Sequence, residues 1–246
     1  MTPNAAASPP DAPPDHLLSR LVGVVLSPRD TFQRIVARPR WFGALALITL
    51  AVAAASFAML STETGQVALL DQQVRQAESF GQTISDEQYA AMERSGPIMR
   101  YFVAGSQVVF IPLVTLLLAG LLFGVFNAGL GGDASFAQML AVVAHSGAVT
   151  LLQQVFVIPL NFARASLSSA TNLGVFVQGV LEETSFLARF LGAIDLFIVW
   201  WLVVLAIGLG VLYRRRTQPI AAGLLVTYGI IAVVIAAIMS FSSGGA

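Results

Sequence analysis

The first long apolar stretch of the chain decides its fold class. Residues 41–60 read WFGALALITLAVAAASFAML and contain no charged side chain. A helix needs about 20 apolar residues to cross about 30 Å of hydrocarbon, because each residue advances it by about 1.5 Å. The stretch therefore predicts a membrane-spanning helix.

Four further apolar stretches follow, and each is also long enough to span a bilayer. They cover approximately residues 102–130, 136–159, 190–212 and 220–241. The sequence therefore predicts an all-α polytopic membrane protein, a five-transmembrane-helix bundle within a membrane domain of residues 17–241.

The composition of the 246-residue chain agrees with this fold class. Hydrophobic residues make up 57% of the chain and charged residues 11%. A soluble domain has about 45–50% hydrophobic and about 25% charged residues, so the composition argues against a water-soluble globule. The net charge is zero and there is no basic tract, which argues against a nucleic-acid partner. The chain has no cysteine, so it has neither a thiolate nucleophile nor a cysteine-ligated metal.

The positions of the arginines predict the orientation of the bundle. Arg214, Arg215 and Arg216 occupy the short connection between the last two predicted spans, and arginines outnumber aspartates in residues 1–40. Such positively charged segments stay in the cytoplasm. Acidic residues outnumber arginines in residues 61–100, which are therefore expected outside. The prediction is a cytoplasmic N-terminus and an external C-terminus.

Shorter segments flank the predicted spans. Residues 1–16 are rich in Ala, Pro and Ser and predict a disordered leader, and residues 242–246 predict a short external tail. Residues 61–100 predict an external helical hairpin, in which Ser85 and Gln88 have capping-box spacing for a second helix that ends near residues 95–97.

Two short amphipathic helices are predicted before the first span. Ser27 suits the N-cap of the second, Pro28 suits its first position, and Asp30 has the spacing of a capping box. Two interpretations stay open. The helices lie in the cytoplasmic membrane interface, or they pack against the bundle as a collar.

Asp195 is the most informative polar residue at membrane depth. An aspartate near the centre of a spanning helix costs about 2.5–3.5 kcal/mol on insertion scales, so it should face the bundle or water. Gln107, Gln153 and Gln154 are predicted at comparable depth, and at least one is expected to hydrogen-bond to Asp195. With His145 they form a candidate intramembrane polar cluster, interpreted as a proton or cation site or as a structural clasp between helices.

The sequence lacks the patterns of known catalytic and phosphate-binding motifs. His145 and Ser146 are adjacent on a predicted helix, so their side chains point about 100° apart and cannot form a nucleophile–base pair. There is no Gly-x-Ser-x-Gly elbow and no His-Glu-x-x-His motif. Residues 129–133 form a glycine turn without the Gly-Lys-Ser/Thr of a phosphate-binding loop. We therefore predict no catalytic residue, no cofactor and no bound metal.

Three stretches of the chain resemble the Yip domain family, in its bacterial branch. Residues 26–41 contain a Pro, then a Phe, then a Pro and an aromatic residue that lead into the first span. Residues 131–136 form a Gly turn that opens the third span, and residues 194–200 (IDLFIVW) resemble the family's Asp-Leu-Phe-x-x-Trp segment. The resemblance covers about residues 17–241. It implies a five-span membrane protein with a cytosolic N-terminus that self-associates or binds other membrane proteins; the eukaryotic members interact with Ypt/Rab GTPases.

These features together favour a non-enzymatic membrane organiser or adaptor. Its expected partners are the lipid bilayer, other membrane proteins or a second copy. Its candidate cytoplasmic partner face consists of Pro28, Arg29, Phe32, Ile35 and Trp41. Three glycine pairs have spacings that permit close contact between helices: Gly120 with Gly124, Gly208 with Gly210, and Gly223 with Gly229. The alternative is a small-ion or small-solute transporter, or a transporter subunit, that uses Asp195.

The expected location is the bacterial cytoplasmic (inner) membrane. Every cationic residue except histidine is arginine, and alanine is abundant. This bias is typical of proteins encoded by GC-rich bacterial genes.

Overall fold

Helices make up nearly all of the regular structure in the described part of the chain. The computed structural model describes residues 16–79, 81–182 and 185–243. The predicted leader lies outside these residues apart from His16, and the predicted tail lies outside them after residue 243. Within them, the β-structure is confined to two isolated bridges. The predicted all-α fold class is therefore confirmed.

Ten α-helices follow one another in the described part of the chain. In order they are α1 (Leu17–Leu26), α2 (Pro28–Ala37), α3 (Phe42–Leu60), α4 (Glu63–Ser79), α5 (Asp86–Phe123), α6 (Phe136–Ser146), α7 (Ala148–Arg164), α8 (Phe186–Gly192), α9 (Leu196–Leu212) and α10 (Thr217–Ser243). A π-helical turn, Gly124–Gly129, continues α5, and a short 3₁₀ helix, Leu173–Val177, lies between α7 and α8.

Four helical stretches among the described residues are long and apolar enough to cross a membrane. They are Phe42–Leu60, Asp86–Gly129, Phe136–Arg164 and Thr217–Phe241. α9 is a shorter apolar helix of 17 residues, at the lower end of the range of about 17–25 residues for a spanning helix. The protein is thus a multi-pass helical membrane protein, and α9 as a fifth span stays a prediction.

α5 is longer than predicted. The predicted capping box of Ser85 and Gln88 is formed, but the helix does not end near residues 95–97 and continues to Phe123, with two prolines inside it. Packing on α3 holds the turn after Pro97, because the Tyr101 ring lies 5.3 Å from the Phe57 ring. These tertiary contacts override the local signal for a helix end.

α1 and α2 pack against the bundle. Ser27 is the N-cap of α2 and Pro28 is its first residue, as predicted, but the Ser27 side chain makes no cap hydrogen bond, so the predicted capping box with Asp30 is absent. Phe32 and Ile35 are fully buried in the hydrophobic core. The structure therefore favours the collar interpretation of these helices.

A fully buried part of the core lies where α6 and α9 meet α2. Every residue of α6 from Met139 to Ser146 is buried. Gly208 of α9 permits the close approach, because a Cβ there would lie 2.6 Å from Val142 Cγ1 and 3.1 Å from the Phe32 ring. A larger residue at position 208 would force these neighbours apart.

The bundle has two distinct ends. Arg29 of α2 and Arg214–Arg216, between α9 and α10, line a common cavity, and we call this the arginine end. Asp195 lies at the other end of α9, about 25 Å away for a helix of 17 residues. The two segments that were predicted to be cytoplasmic thus lie together.

The glycine turn predicted for residues 129–133 contacts the arginine end. A Cβ on Gly132 would overlap the Tyr213 ring, so glycine is required there. The Tyr213 hydroxyl donates a hydrogen bond to Asn127 Oδ1 at 2.6 Å. Burial raises the pKa of the Tyr213 phenol and the charge of Asp133 raises it further, so the phenol keeps its proton and remains a donor at neutral pH.

Candidate functional site

Asp195 caps the start of α9 and is only 7% exposed. Its Oδ1 accepts hydrogen bonds from the backbone N–H groups of Phe197 at 2.8 Å and Ile198 at 3.3 Å. These are two of the donors that a helix start leaves without an intrahelical partner, and the carboxylate also faces the positive end of the helix dipole. The predicted span 190–212 is interrupted here, because α8 ends at Gly192 and the chain becomes helical again only at Leu196.

The second carboxylate oxygen binds the loop that follows α7. Asp195 Oδ2 accepts hydrogen bonds from Ser169 Oγ at 2.7 Å and Thr171 Oγ1 at 2.6 Å. Both are short, as expected for hydroxyl donors to a charged acceptor. The carboxylate therefore joins this loop to the start of α9.

Tyr228 adds α10 to the same group. Its hydroxyl accepts from the backbone N–H of Asp195 at 3.0 Å and donates to the carbonyl of Ala193 at 2.8 Å. One phenol thus pairs with the backbone N–H of Asp195 and the backbone carbonyl of Ala193, at the point where the helix is interrupted. We call Ser169, Thr171, Asp195 and Tyr228 the Asp195 clasp.

The prediction that a glutamine hydrogen-bonds to Asp195 is wrong. The hydroxyls of Ser169 and Thr171 and the start of α9 take the carboxylate oxygens instead. Gln153 is half-buried on α7 and makes no hydrogen bond to Asp195.

The other two glutamines meet in a separate polar cavity. Gln107 Nε2 donates to Ser56 Oγ at 3.0 Å, and Gln154 lines the same cavity of about 240 Å³ between α3, α5 and α7. Asn161, which is 7% exposed, completes the polar lining. The structure therefore brings together two of the five residues of the predicted polar cluster.

His145 lies apart from both polar groups. It is fully buried on α6, and its Nδ1–H donates to the carbonyl of Ala141 at 2.8 Å. The neighbouring Ser146 Oγ donates to the carbonyl of Val142 at 2.8 Å. Both side chains therefore bond to their own helix and not to each other. No group of three or more His, Asp or Glu side chains suited to a metal occurs in residues 16–79, 81–182 and 185–243.

The predicted cytoplasmic partner face needs correction. Phe32 and Ile35 are fully buried inside the chain's own core, so they cannot contact a partner unless α2 leaves the bundle. Arg29 is exposed, whereas Pro28 and Trp41 are half-buried. The apolar face of α2 was interpreted as a binding surface, but it is the contact of α2 with α6 and α9.

One side of α5 faces away from the bundle. Only Ala119 and Leu122 of this helix are buried, whereas Phe110, Leu117 and Leu121 are 61%, 65% and 65% exposed. Gly120 and Gly124 belong to this exposed side, and a Cβ added at either would meet nothing within 4 Å. We call the exposed side from Phe110 to Gly124, the first residue of the π-helical turn that continues the helix, the open face of α5.

Sequence reasoning missed several residues of these polar groups. The sequence analysis did not identify Ser169, Thr171 or Tyr228. It also missed the helix start at Asp195, although an aspartate after Gly-Ala-Ile has the pattern of an N-cap. The three partners lie 24 to 33 positions away from Asp195, and no local pattern reports contacts over that separation.

Comparisons with known proteins agree with this architecture. The family model of the Yip1 domain matches residues 22–239, which is most of the chain. No match was found among curated proteins or among solved structures. The match begins within α1 and ends within α10, so it includes the collar, the Asp195 clasp and the open face of α5. The chain therefore belongs to the Yip1 domain family of membrane proteins.

Proposed function

We propose that this protein is a non-enzymatic membrane organiser that binds transmembrane helices of other membrane proteins, or of a second copy, through the open face of α5. The observation that carries the proposal is the pair Gly120 and Gly124. Both lie on an exposed apolar helix with open space beyond them.

A glycine pair on an outward face suits contact between helices. Lipid tails are as apolar as leucine, so helices in a bilayer associate through close packing and not through burial from water. Glycines four residues apart let two backbones approach closely. Gly208 does this inside the bundle, where it contacts Val142 and Phe32. Gly120 and Gly124 have no such neighbour among the residues that the structure describes.

The polar geometry does not favour transport. A transported ion needs ligands that exchange, whereas the Asp195 carboxylate already accepts four hydrogen bonds from within the chain. His145 and Gln107 lie in other parts of the bundle, so they form no continuous path with Asp195. The contacts of Asp195 are those of a structural helix cap.

A variant that fills the glycine surface tests the organiser proposal. Gly120→Leu with Gly124→Leu adds bulk only on the outside, so the monomer should fold normally. The tagged wild type and variant are taken from native membranes into lipid discs, and co-purifying proteins are quantified by mass spectrometry. We expect a defined partner, or the second copy, to fall about fivefold in the variant, as for a loss of about 1 kcal/mol of association free energy.

Gly223→Leu is the matched control, because Gly223 lies on α10 and also has open space around it. Loss of the partner in the Gly120/Gly124 variant but not in the control supports the proposal. Equal recovery from wild type and both variants would contradict it.

We also propose that the arginine end faces the cytoplasm and that the membrane is the bacterial cytoplasmic membrane. The grouping of Arg29 with Arg214–Arg216 at one end supports this orientation.

A further inference from the structure

A large open cavity lies at the arginine end, between α2, the end of α9 and the start of α10. Its volume is about 880 Å³. The arginines that line it are exposed, and we call them the rim. Two half-buried apolar residues in the last two turns of α9 also line it, and we call them the floor. The residues that matter here are Arg29, Arg214, Arg215 and Arg216 on the rim and Ile207 and Val211 on the floor. We call it the arginine cavity.

Carboxylates do not neutralise the rim. In the part of the chain that the structure describes, none of the four rim arginines forms a salt bridge with an Asp or Glu. Arg215 donates to the carbonyl of Leu130 at 2.8 Å, which fixes its position but leaves its charge. Four like charges around one cavity repel each other, so a bound anion would stabilise the site.

The backbone at Arg214 has the conformation that favours glycine. α9 ends in a Schellman motif, in which Arg215 N–H bonds to Gly210 O at 2.9 Å and Arg214 N–H to Val211 O at 3.4 Å. Arg214 takes the left-handed position with φ of 52°. Glycine or asparagine would fit this position with less strain. Arg214→Asn therefore removes the arginine side chain and keeps the backbone turn.

The floor of the cavity distinguishes a lipid from a free anion. Ile207 and Val211 line it from a strongly apolar helix, so the cavity has a cationic rim above an apolar wall. An anionic phospholipid has this arrangement, with a phosphate joined to a glycerol and acyl chains. Inorganic phosphate would use only the rim.

We propose that the arginine cavity binds the phosphate headgroup of an anionic phospholipid, with the acyl chains leaving along the floor of α9 and α10. Basic clusters at the cytoplasmic ends of membrane helices are suited to this chemistry. The site is independent of the open face of α5 and does not rest on the organiser proposal.

Native mass spectrometry of the purified full chain tests the site. The protein in detergent is titrated with phosphatidylglycerol, with phosphatidylcholine and with phosphatidylglycerol in the presence of millimolar inorganic phosphate. We expect one saturable phosphatidylglycerol site that phosphatidylcholine does not fill. Combining Arg29→Gln, Arg214→Asn and Arg216→Gln should weaken it at least about tenfold, since each arginine near an anionic lipid is worth about fivefold in affinity.

Arg40→Gln controls for net charge, because Arg40 is exposed and does not line the cavity. A selective loss in the cavity variant, with Arg40→Gln like wild type and thermal stability unchanged, supports the proposal. If Arg40→Gln lost as much phosphatidylglycerol affinity per arginine removed as the cavity variant, the proposal would be overturned, because the lipid would then respond only to the net charge of the protein. Displacement of the lipid by millimolar phosphate would overturn the lipid as occupant.

Discussion

At the scale of single residues, Asp195 shows how a buried carboxylate is accommodated in this bundle. It lies where one helix ends and another begins, so backbone N–H groups are available to it. The hydroxyls of Ser169 and Thr171 donate to its other carboxylate oxygen, and the Tyr228 hydroxyl accepts from its backbone N–H. The charge is therefore compensated by the chain itself, and the clasp holds a loop, α9 and α10 together.

Replacing Asp195 should lower stability in proportion to the contacts removed. Asp195→Ala removes a helix cap and two charged hydrogen bonds, so we expect a loss of about 2–4 kcal/mol. Asp195→Asn keeps one cap acceptor and should lose less. Thermal unfolding of the purified protein in detergent measures both, with Gln153→Ala as a control outside the clasp. Equal melting temperatures for Asp195→Ala and wild type would contradict the clasp.

Residue types were predictable here, but partners were not. The insertion cost of an aspartate identifies Asp195 as a residue that must face protein or water. It does not say which side chain will meet it, and glutamines at similar depth on other helices were the wrong choice. Hydroxyls in the loop after α7 reach Asp195 because the helix is interrupted there.

At the scale of helices, α2 illustrates the limit of amphipathic patterns. Its apolar face was predicted from helical spacing, and its N-cap and its first helical residue were predicted correctly. The same pattern fits a helix on a membrane surface, one at a partner interface and one in a core. Only the tertiary structure shows that Phe32 and Ile35 belong to the core.

A pair of substitutions on α2 should separate its buried and exposed sides. Phe32→Ala removes a fully buried ring and should destabilise the fold by about 3–5 kcal/mol. Arg29→Ala, on the exposed side, should change stability by no more than about 0.5 kcal/mol. Thermal unfolding and yield from membranes report both. A stable Phe32→Ala variant would contradict the collar arrangement.

Helix lengths were predictable where hydropathy is uniform. α3 nearly coincides with the predicted stretch 41–60, because no residue within it interrupts the apolar run. α5 exceeds its prediction because contacts with α3 stabilise the turns around Pro97. The boundary at Asp195 was missed because hydropathy averages over a single capping residue.

At the scale of the whole molecule, four arginines from two chain segments meet at one end of the bundle. Arg29 and Arg214–Arg216 are far apart in sequence but share one cavity. The positive-inside rule then predicts a single orientation for the bundle, with α4 and the start of α5 on the external side.

Thiol labelling tests this orientation directly, because the natural chain has no cysteine. Thr83→Cys and Arg40→Cys place single thiols at exposed positions. In intact cells a membrane-impermeant maleimide should label the first and not the second, and permeabilisation should make both react. The reverse pattern in intact cells would contradict the predicted orientation.

The central claim is that the open face of α5 contacts another transmembrane helix, and cysteine crosslinking in native membranes tests it most directly. Gly120→Cys places one thiol on the open face, and Val226→Cys places one on α10 at a residue that is 62% exposed. After treatment with a short thiol–thiol or thiol–amine crosslinker, adducts are separated by mass. We predict a discrete adduct for Gly120→Cys and none for Val226→Cys. An adduct with a second copy has twice the chain mass of 26.0 kDa, and an adduct with another protein has a different defined mass. No adduct at Gly120, or equal adducts at both positions, would contradict the claim.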